Sequence, residues 1–437
     1  MKTLFISYYY PPVKAVGTLR SYYLSDMFSN AIGSVSVLSK TIYSYLPCEQ
    51  MEISPDISVY RVYAPDYHVF RFWISTLVNK FRRYVFKKNI KRSIHTSKSN
   101  KTLNLLVDTF PFNCLLGEGG IIYIILGIIK SLQIVQSQKT NIVFSSFRPY
   151  SDHIIAWFVK LINPNIYWIA DFRDIHVDPD HSNVLYPKLQ HRINTWFFRK
   201  ADLLTCVSEG YLKHIKQYND NTFLLRNAFP ISKLSFDIKS IESFQKFTIS
   251  YTGMLYGGRR NPAIFFKVIQ KLLLDNVISR NDIELLYAGT EDTYWKQLGY
   301  QFNLSEICKT VGIVSLPESE NIQRKSHLNL MITWASENYS TFPAKFYEYL
   351  AARRPILLLI NGEKDEEFER LFSKNPIGQL FYDTLEYENI LYSYLENEYK
   401  IWQSNKVTYT DSLYLLPFSW EKTFNSFKST ILDKRKI

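Results

Sequence analysis

Apolar residues follow two spacings along the chain. Runs of strand length occur at 2–9, 34–39, 57–62, 141–146, 167–171, 203–207 and 223–225, each bounded by turn residues. Between them, 20–28 places Tyr23, Leu24, Met27 and Phe28 at helical spacing, and 152–161 and 189–200 repeat the pattern, with Asp152 positioned as a cap. The segment 230–247 is polar and aperiodic and reads as a linker. A second series follows, with strands at 248–252, 283–288, 311–314, 328–332 and 355–359 and helices at 262–274 and 342–352. Repeated strand–helix alternation in both halves predicts two doubly wound, mostly parallel α/β domains. Ligands of such sheets gather at the carboxyl ends of the strands, so a cleft between the domains is the expected site.

The length of 437 residues fits two or three domains at about 150 residues each. The 46% of apolar residues suffices for large cores. Cys48, Cys114, Cys206 and Cys308 are far apart and form no C-x-x-C pair, so they read as reduced core residues, not a disulfide frame or zinc site. The run 1–7 reads as a buried first strand, too short for a secretory signal. The apolar stretch 121–129 is shorter than the roughly 20 residues that span a bilayer, so the chain reads as soluble and cytoplasmic.

Charge changes this picture in one place. Between 67 and 107 there are ten Lys or Arg residues and no Asp or Glu, so most of the net +12 belongs to one segment. Within 71–101 the basic residues mix with Phe70, Phe72, Trp73, Phe81, Tyr84 and Phe86 at its edge and interior. That mixture suits an anionic membrane surface, here the inner face of the plasma membrane. A solvated helix or a nucleic-acid patch would share the pattern, but the remaining motifs favour small-molecule phosphate chemistry over nucleic acid.

Four motifs carry that chemistry. The loop 8–20 joins a strand to a helix and contains Gly17, which permits close backbone approach, and Arg20. Asp171-Phe172-Arg173-Asp174 follows a strand, so two carboxylates could orient a hydroxyl or balance positive charge at a sugar carbon; an internal ion pair with Arg173 is the alternative. The loop Gly253-Met254-Leu255-Tyr256-Gly257-Gly258-Arg259-Arg260 joins a strand to a Pro-started helix, and offers free backbone amides and forked donors to phosphate. Finally, Thr341 and Lys345 lie at a helix start, with Glu348 one turn on, able either to accept ribose hydroxyls or simply to pair with Lys345.

In order along the chain, Tyr9-Tyr10-Pro11-Pro12, Asp171–Asp174, Ala201-Asp202 to Ser208-Glu209, Arg226-Asn227, Thr252–Pro262 and Lys345–Pro355 resemble the family 4 glycosyltransferases, in particular bacterial enzymes of surface (capsular) polysaccharide biosynthesis. The resemblance covers nearly the whole chain and implies the GT-B fold, two Rossmann-like domains facing each other across a cleft. It implies an acceptor-side domain at 1–229, a donor domain at 230–417, and a last helix within 418–437 crossing back. It further implies retaining, metal-independent transfer of a sugar from a nucleotide-diphosphate sugar to a glycan acceptor of the lipid-linked kind, with no cofactor. By position, Gly17, Gly253, Arg259, Arg260, Thr341, Lys345 and Glu348 would serve the donor. Asp174 and Asp171 would be catalytic, and Arg20 and Arg173 would face the acceptor. The chain departs from the family at Ser340, where a glutamate is usual, and in having one glycine in the first loop. A non-catalytic GT-B scaffold and a sugar-nucleotide epimerase on the same fold are the competing readings.

Overall fold

The computed structural model describes residues 1–15, 17–43, 46–49, 51–65, 101–180, 182–337 and 342–434. The chain forms two compact units, Met1–Arg226 with Phe424–Ile437, and Asn227–Thr423. Most of the basic segment 71–101, together with Ser340 and Thr341, lies outside the described residues.

In the first unit, strands β1 (Thr3–Ile6), β2 (Val35–Lys40), β3 (Ile57–Val62), β4 (Ile142–Phe147), β5 (Tyr167–Phe172), β6 (Leu203–Cys206) and β7 (Thr222–Leu224) form one sheet. Its order is β3-β2-β1-β4-β5-β6-β7, parallel throughout. Strands β2, β4 and β5 are buried at every position, including the polar Ser36, Ser39, Lys40, Ser145, Ser146 and Asp171 that interrupt their apolar residues. Helix Ile121–Gln138 turns Tyr123, Ile124, Gly127, Ser131, Ile134 and Val135 inward. Gly127 lets it lie close to helix Tyr150–Ile162, because a Cβ there would run into Ile155.

Asp152 does not cap the helix; Pro149 holds that position and Asp152 lies in the first turn. Its carboxylate accepts from the Tyr8 amide at 2.8 Å and the Tyr123 hydroxyl at 2.8 Å. Burial outweighs both bonds and raises its carboxyl to about 7. Between the ordinary 3.8 and about 7, the unfolded chain has released this proton while the folded chain keeps it, so stability falls as pH rises through that window. The effect is on the order of 1.4 kcal/mol per unit of pKa difference. Urea denaturation at two pH values spanning the window should show this slope, and Asp152→Asn should remove it. An unchanged slope in the variant would assign it to another group.

In the second unit, β8 (Phe247–Thr252), β9 (Ile283–Ala288), β10 (Cys308–Thr310), β11 (Leu328–Ala335), β12 (Ile356–Gly362) and β13 (Gly378–Tyr382) form a parallel sheet of order β10-β9-β8-β11-β12-β13. Both of its faces are covered. Leu357 and Leu359 pack into the cluster on one face, while Ile356, Leu358 and Ile360 pack into the other. The apolar pattern does not separate helices Asp292–Gln301, Leu316–Lys325, Glu366–Lys374 and Leu385–Gln403, nor β13. The strand expected at 311–314 is instead Cys308–Thr310, because Gly312 takes φ +73° and Val311 and Ile313 are exposed. The linker carries two short 3₁₀ turns, Ile231–Leu234 and Ile238–Ser240.

The chain divides at 226/227 and 423/424, against the expected 229/230 and 417/418. Phe229 pairs with Ser419, which keeps both ends of that stretch in the second unit. Helix Trp420–Lys434 then carries Phe424 onto Phe28 and Phe427 onto Phe223 in the first unit, with ring centroids 5.2 Å apart in each pair. The four cysteines are free; Cys206 and Cys308 are buried, but Cys48 is exposed and is no core residue.

Candidate functional site

Each sheet reverses its strand order once, between β1 and β4 and between β8 and β11. The carboxyl ends of the strands flanking such a reversal form the natural ligand crevice of an open α/β sheet. In the second unit, the glycine-rich loop leaves the end of β8, and the chain leaving β11 leads to helix Lys345–Ala352.

That helix buries Phe346, Tyr349 and Leu350 in the core, which leaves Lys345 and Glu348 on its partly exposed side. Lys345 Nζ donates to Glu348 at 2.6 Å and to Ser319 Oγ at 3.3 Å. Ser319 accepts from Gln323, whose amide also donates to Thr252 Oγ1 at 2.8 Å. The buried Tyr349 hydroxyl accepts from the Thr252 amide at 3.0 Å. One hydrogen-bonded chain thus connects Lys345 and Glu348 to the residue preceding Gly253. Ser319 and Gln323 were not legible as site residues, since the local signal near them is the Ser315/Glu318 capping box, and Tyr349 reads as a core residue of its helix.

The two arginines of the loop differ. Arg260 stacks its guanidinium on the Tyr256 ring, 4.7 Å from the centroid, and donates to the Met254 carbonyl at 3.4 Å. It therefore folds back on its own loop. Arg259 is exposed, and its guanidinium makes no hydrogen bond or ion pair among the described residues. The loop amides expected to meet phosphate are engaged as well: those of Leu255, Tyr256 and Gly257 all donate to Glu291.

In the first unit, Asp171 is fully enclosed and both its oxygens are committed. Oδ1 accepts from Arg20 Nη2 at 2.7 Å and Thr205 at 2.7 Å, and Oδ2 from Arg20 Nε at 2.9 Å and Ser146 at 3.0 Å. Burial alone would raise this carboxyl, but the Arg20 charge and these bonds hold it below the usual 3.8. Arg20, 4% exposed, also donates to the Leu225 carbonyl at 2.7 Å. The pair clamps β5 to the first helix and to the chain beyond β7. It has no face for a substrate, which corrects the expectation of a catalytic Asp171 and an acceptor-facing Arg20. The internal pair is with Arg20 and not Arg173.

Arg173 points into the turn after β4, donating Nε to the Phe147 carbonyl at 2.9 Å and Nη2 to the Arg148 carbonyl at 2.6 Å. Gly17 lies against this guanidinium so closely that any Cβ there would overlap it. The close approach that Gly17 permits is thus to Arg173. Within the motif only Asp174 is exposed. A cavity of about 210 Å³ in the same unit is lined by Asp108, Asn113, Glu118, Arg148, Tyr150 and His176 among others, with Asp174 outside that lining. Arg148 lies 3.6 Å from Asp108, and the enclosed His176 ring, bonded to Asn194 and the Asp108 carbonyl, is pushed by burial down to about 4. Among the described residues, no group of three His, Cys, Asp or Glu is arranged to hold a metal ion.

Two parallel sheets of this topology, flanked by helices, define the GT-B fold, and solved structures share it over the full length. A glycosyltransferase from Rickettsia africae aligns with a TM-score of 0.60 at 11% identity, covering all of this chain and 98% of its own. The lipopolysaccharide outer core galactosyltransferase WaaB aligns at 0.56 and 12% identity, covering 99% and 100%. An epimerase fold is also represented, by a putative UDP-N-acetylglucosamine 2-epimerase from Listeria monocytogenes at 0.51 and 10% identity, covering 98% and 95%. No protein-family model and no curated protein matches the sequence.

Proposed function

We propose that the chain is a glycosyltransferase that moves a sugar from a nucleotide-diphosphate sugar to a glycan acceptor carried on lipid, in bacterial surface-polysaccharide synthesis. Transfer proceeds with retention and without a metal ion. The observation that carries this reading is the wiring of Lys345 and Glu348 to Thr252, at the carboxyl end of the strand that feeds the glycine-rich loop. Departure of the donor places growing charge on the β-phosphate. Lys345 and the unengaged Arg259 supply the positive charge, Gly253 and Thr341 serve the same diphosphate, and Glu348 accepts the ribose hydroxyls. Preorganised charge of this kind is commonly the largest catalytic contribution. On the acceptor side, Asp174 works at the attacking hydroxyl, and Arg173 shapes the turn beside it.

The test is a panel of nucleotide sugars scored by thermal shift and by release of nucleoside diphosphate. One donor should raise the melting temperature, by about 2.7 kcal/mol of apparent stability at a hundredfold excess over Kd, and should be slowly hydrolysed. If no donor binds, the reading fails. Binding without release would favour a scaffold, and a free epimerised sugar nucleotide would favour an epimerase.

Membrane contact belongs to the same proposal. Helix Ile121–Gln138 is the one described helix long and apolar enough to cross a membrane, and a third of it is buried. Its outer side shows Ile121, Ile122, Ile125, Leu126 and Ile129, each more than a third exposed, on one face. This face would lie in the headgroup region of the cytoplasmic leaflet, with the basic residues of 71–101 adding about 1 kcal/mol each near anionic lipid. Ile122→Glu combined with Ile125→Glu should lower co-sedimentation with phosphatidylglycerol vesicles about tenfold or more, and unchanged binding would remove this part.

A further inference from the structure

Glu291 occupies the position just before helix Asp292–Gln301, where a side chain ordinarily bonds the helix's own first amides. It makes no such bond. Its carboxylate instead reaches the glycine-rich loop. The Leu255 amide and the Tyr256 amide (3.1 Å) donate to Oε2, and the Gly257 amide donates to Oε1 at 2.6 Å. Leu255 is right-handed (φ −92°, ψ −5°) and Tyr256 takes φ 52°, so the handedness of the backbone alternates beneath these three amides. Successive amides turned to one concave side in this way form an anion nest. The same turn holds the loop at its root. The Tyr287 hydroxyl donates to the Gly253 carbonyl at 3.1 Å and accepts from the Glu291 amide at 3.0 Å. Gly289 is pressed so near Gly253 that a Cβ would collide with its carbonyl.

We propose that the loop 255–257 is an oxyanion site whose resident anion is Glu291, and that Glu291 is a positioning residue holding the loop so that Arg259 faces a phosphoryl group. The second half of this statement rests on the donor reading above. Arg260 is engaged with Met254 and Tyr256, so the fixed loop leaves Arg259 as its projecting cation. Without the carboxylate, the three amides would lose their partner and the nest would accept a small oxyanion from solution.

The test uses the full chain, with Glu291→Ala, and Glu291→Gln as a second variant that keeps size and one acceptor oxygen. Hydrogen exchange should be slow at amides 255–257 in the wild type and at least tenfold faster in Glu291→Ala, with Glu291→Gln between. Inorganic phosphate should raise the melting temperature of Glu291→Ala and restore protection at those amides, with no such response in the wild type. For whichever donor the panel identifies, KM should rise about tenfold in Glu291→Ala with a smaller change in kcat. Equal exchange in wild type and variant, or no phosphate response in the variant, would overturn the nest. Unchanged donor KM alongside lost protection would overturn the positioning role. A wild type that binds no nucleotide sugar would count against glycosyl transfer and the role toward Arg259. The exchange and phosphate results would still decide the nest.

Discussion

Lys345→Ala and Arg259→Ala should each lower turnover about 100-fold or more, the usual scale for removing one preorganised donor from a developing oxyanion. The measurement is nucleoside diphosphate release at saturating donor. Neither substitution should unfold the protein. Lys345 and Glu348 form a pair about a quarter exposed on each side, and pairs of that kind contribute up to about 1 kcal/mol, a few degrees in melting temperature at most. Arg259 is exposed and holds nothing in place. Loss of activity with melting preserved therefore reports on chemistry, and near-wild-type rates in both variants would remove these residues from the donor site. Arg260→Ala should differ from Arg259→Ala, since its guanidinium is folded onto Tyr256, and its effect should come through loop order.

Asp171→Ala should have the opposite signature. It leaves the buried Arg20 without its two-pronged partner and removes the acceptor for Thr205 and Ser146. Breaking one side of a buried pair costs about 3–5 kcal/mol, on the order of ten degrees in melting temperature for a unit of this size. Adding Arg20→Met should recover much of that loss, because no buried charge then stands alone. The pH dependence has a defined sign. The folded carboxyl lies below 3.8, so its contribution is complete above that value and lost as pH falls below it. A variant that melts like wild type yet loses turnover would return Asp171 to the catalytic group.

The contrast between these variants shows what could be read in one dimension. Buried parallel strands are rich in apolar and β-branched residues bounded by turns, so β4, β5, β8 and β12 stand out in the residue pattern, and the alternation with helices follows. Helices Asp292–Gln301 and Leu316–Lys325 carry many polar residues, and their few inward side chains are a weaker signal. Lys345 and Glu348 were legible because helical spacing of three residues puts them on one face. Glu291 was not, since its partners lie 34 to 36 residues away and meet it only because β8 and β9 are neighbours.

The amino-acid sequence by itself determined that this protein has two parallel α/β halves, where most of their strands lie, and which turns carry charge beside glycine. Those properties follow from local spacing and backbone freedom. Only the tertiary structure decided what each charge faces. Asp171 and Asp174 lie three residues apart in one motif, yet the first points into the sheet to meet Arg20 and the second out to solvent. Residues that look equivalent in a motif acquire separate roles when packing gives one of them a buried partner.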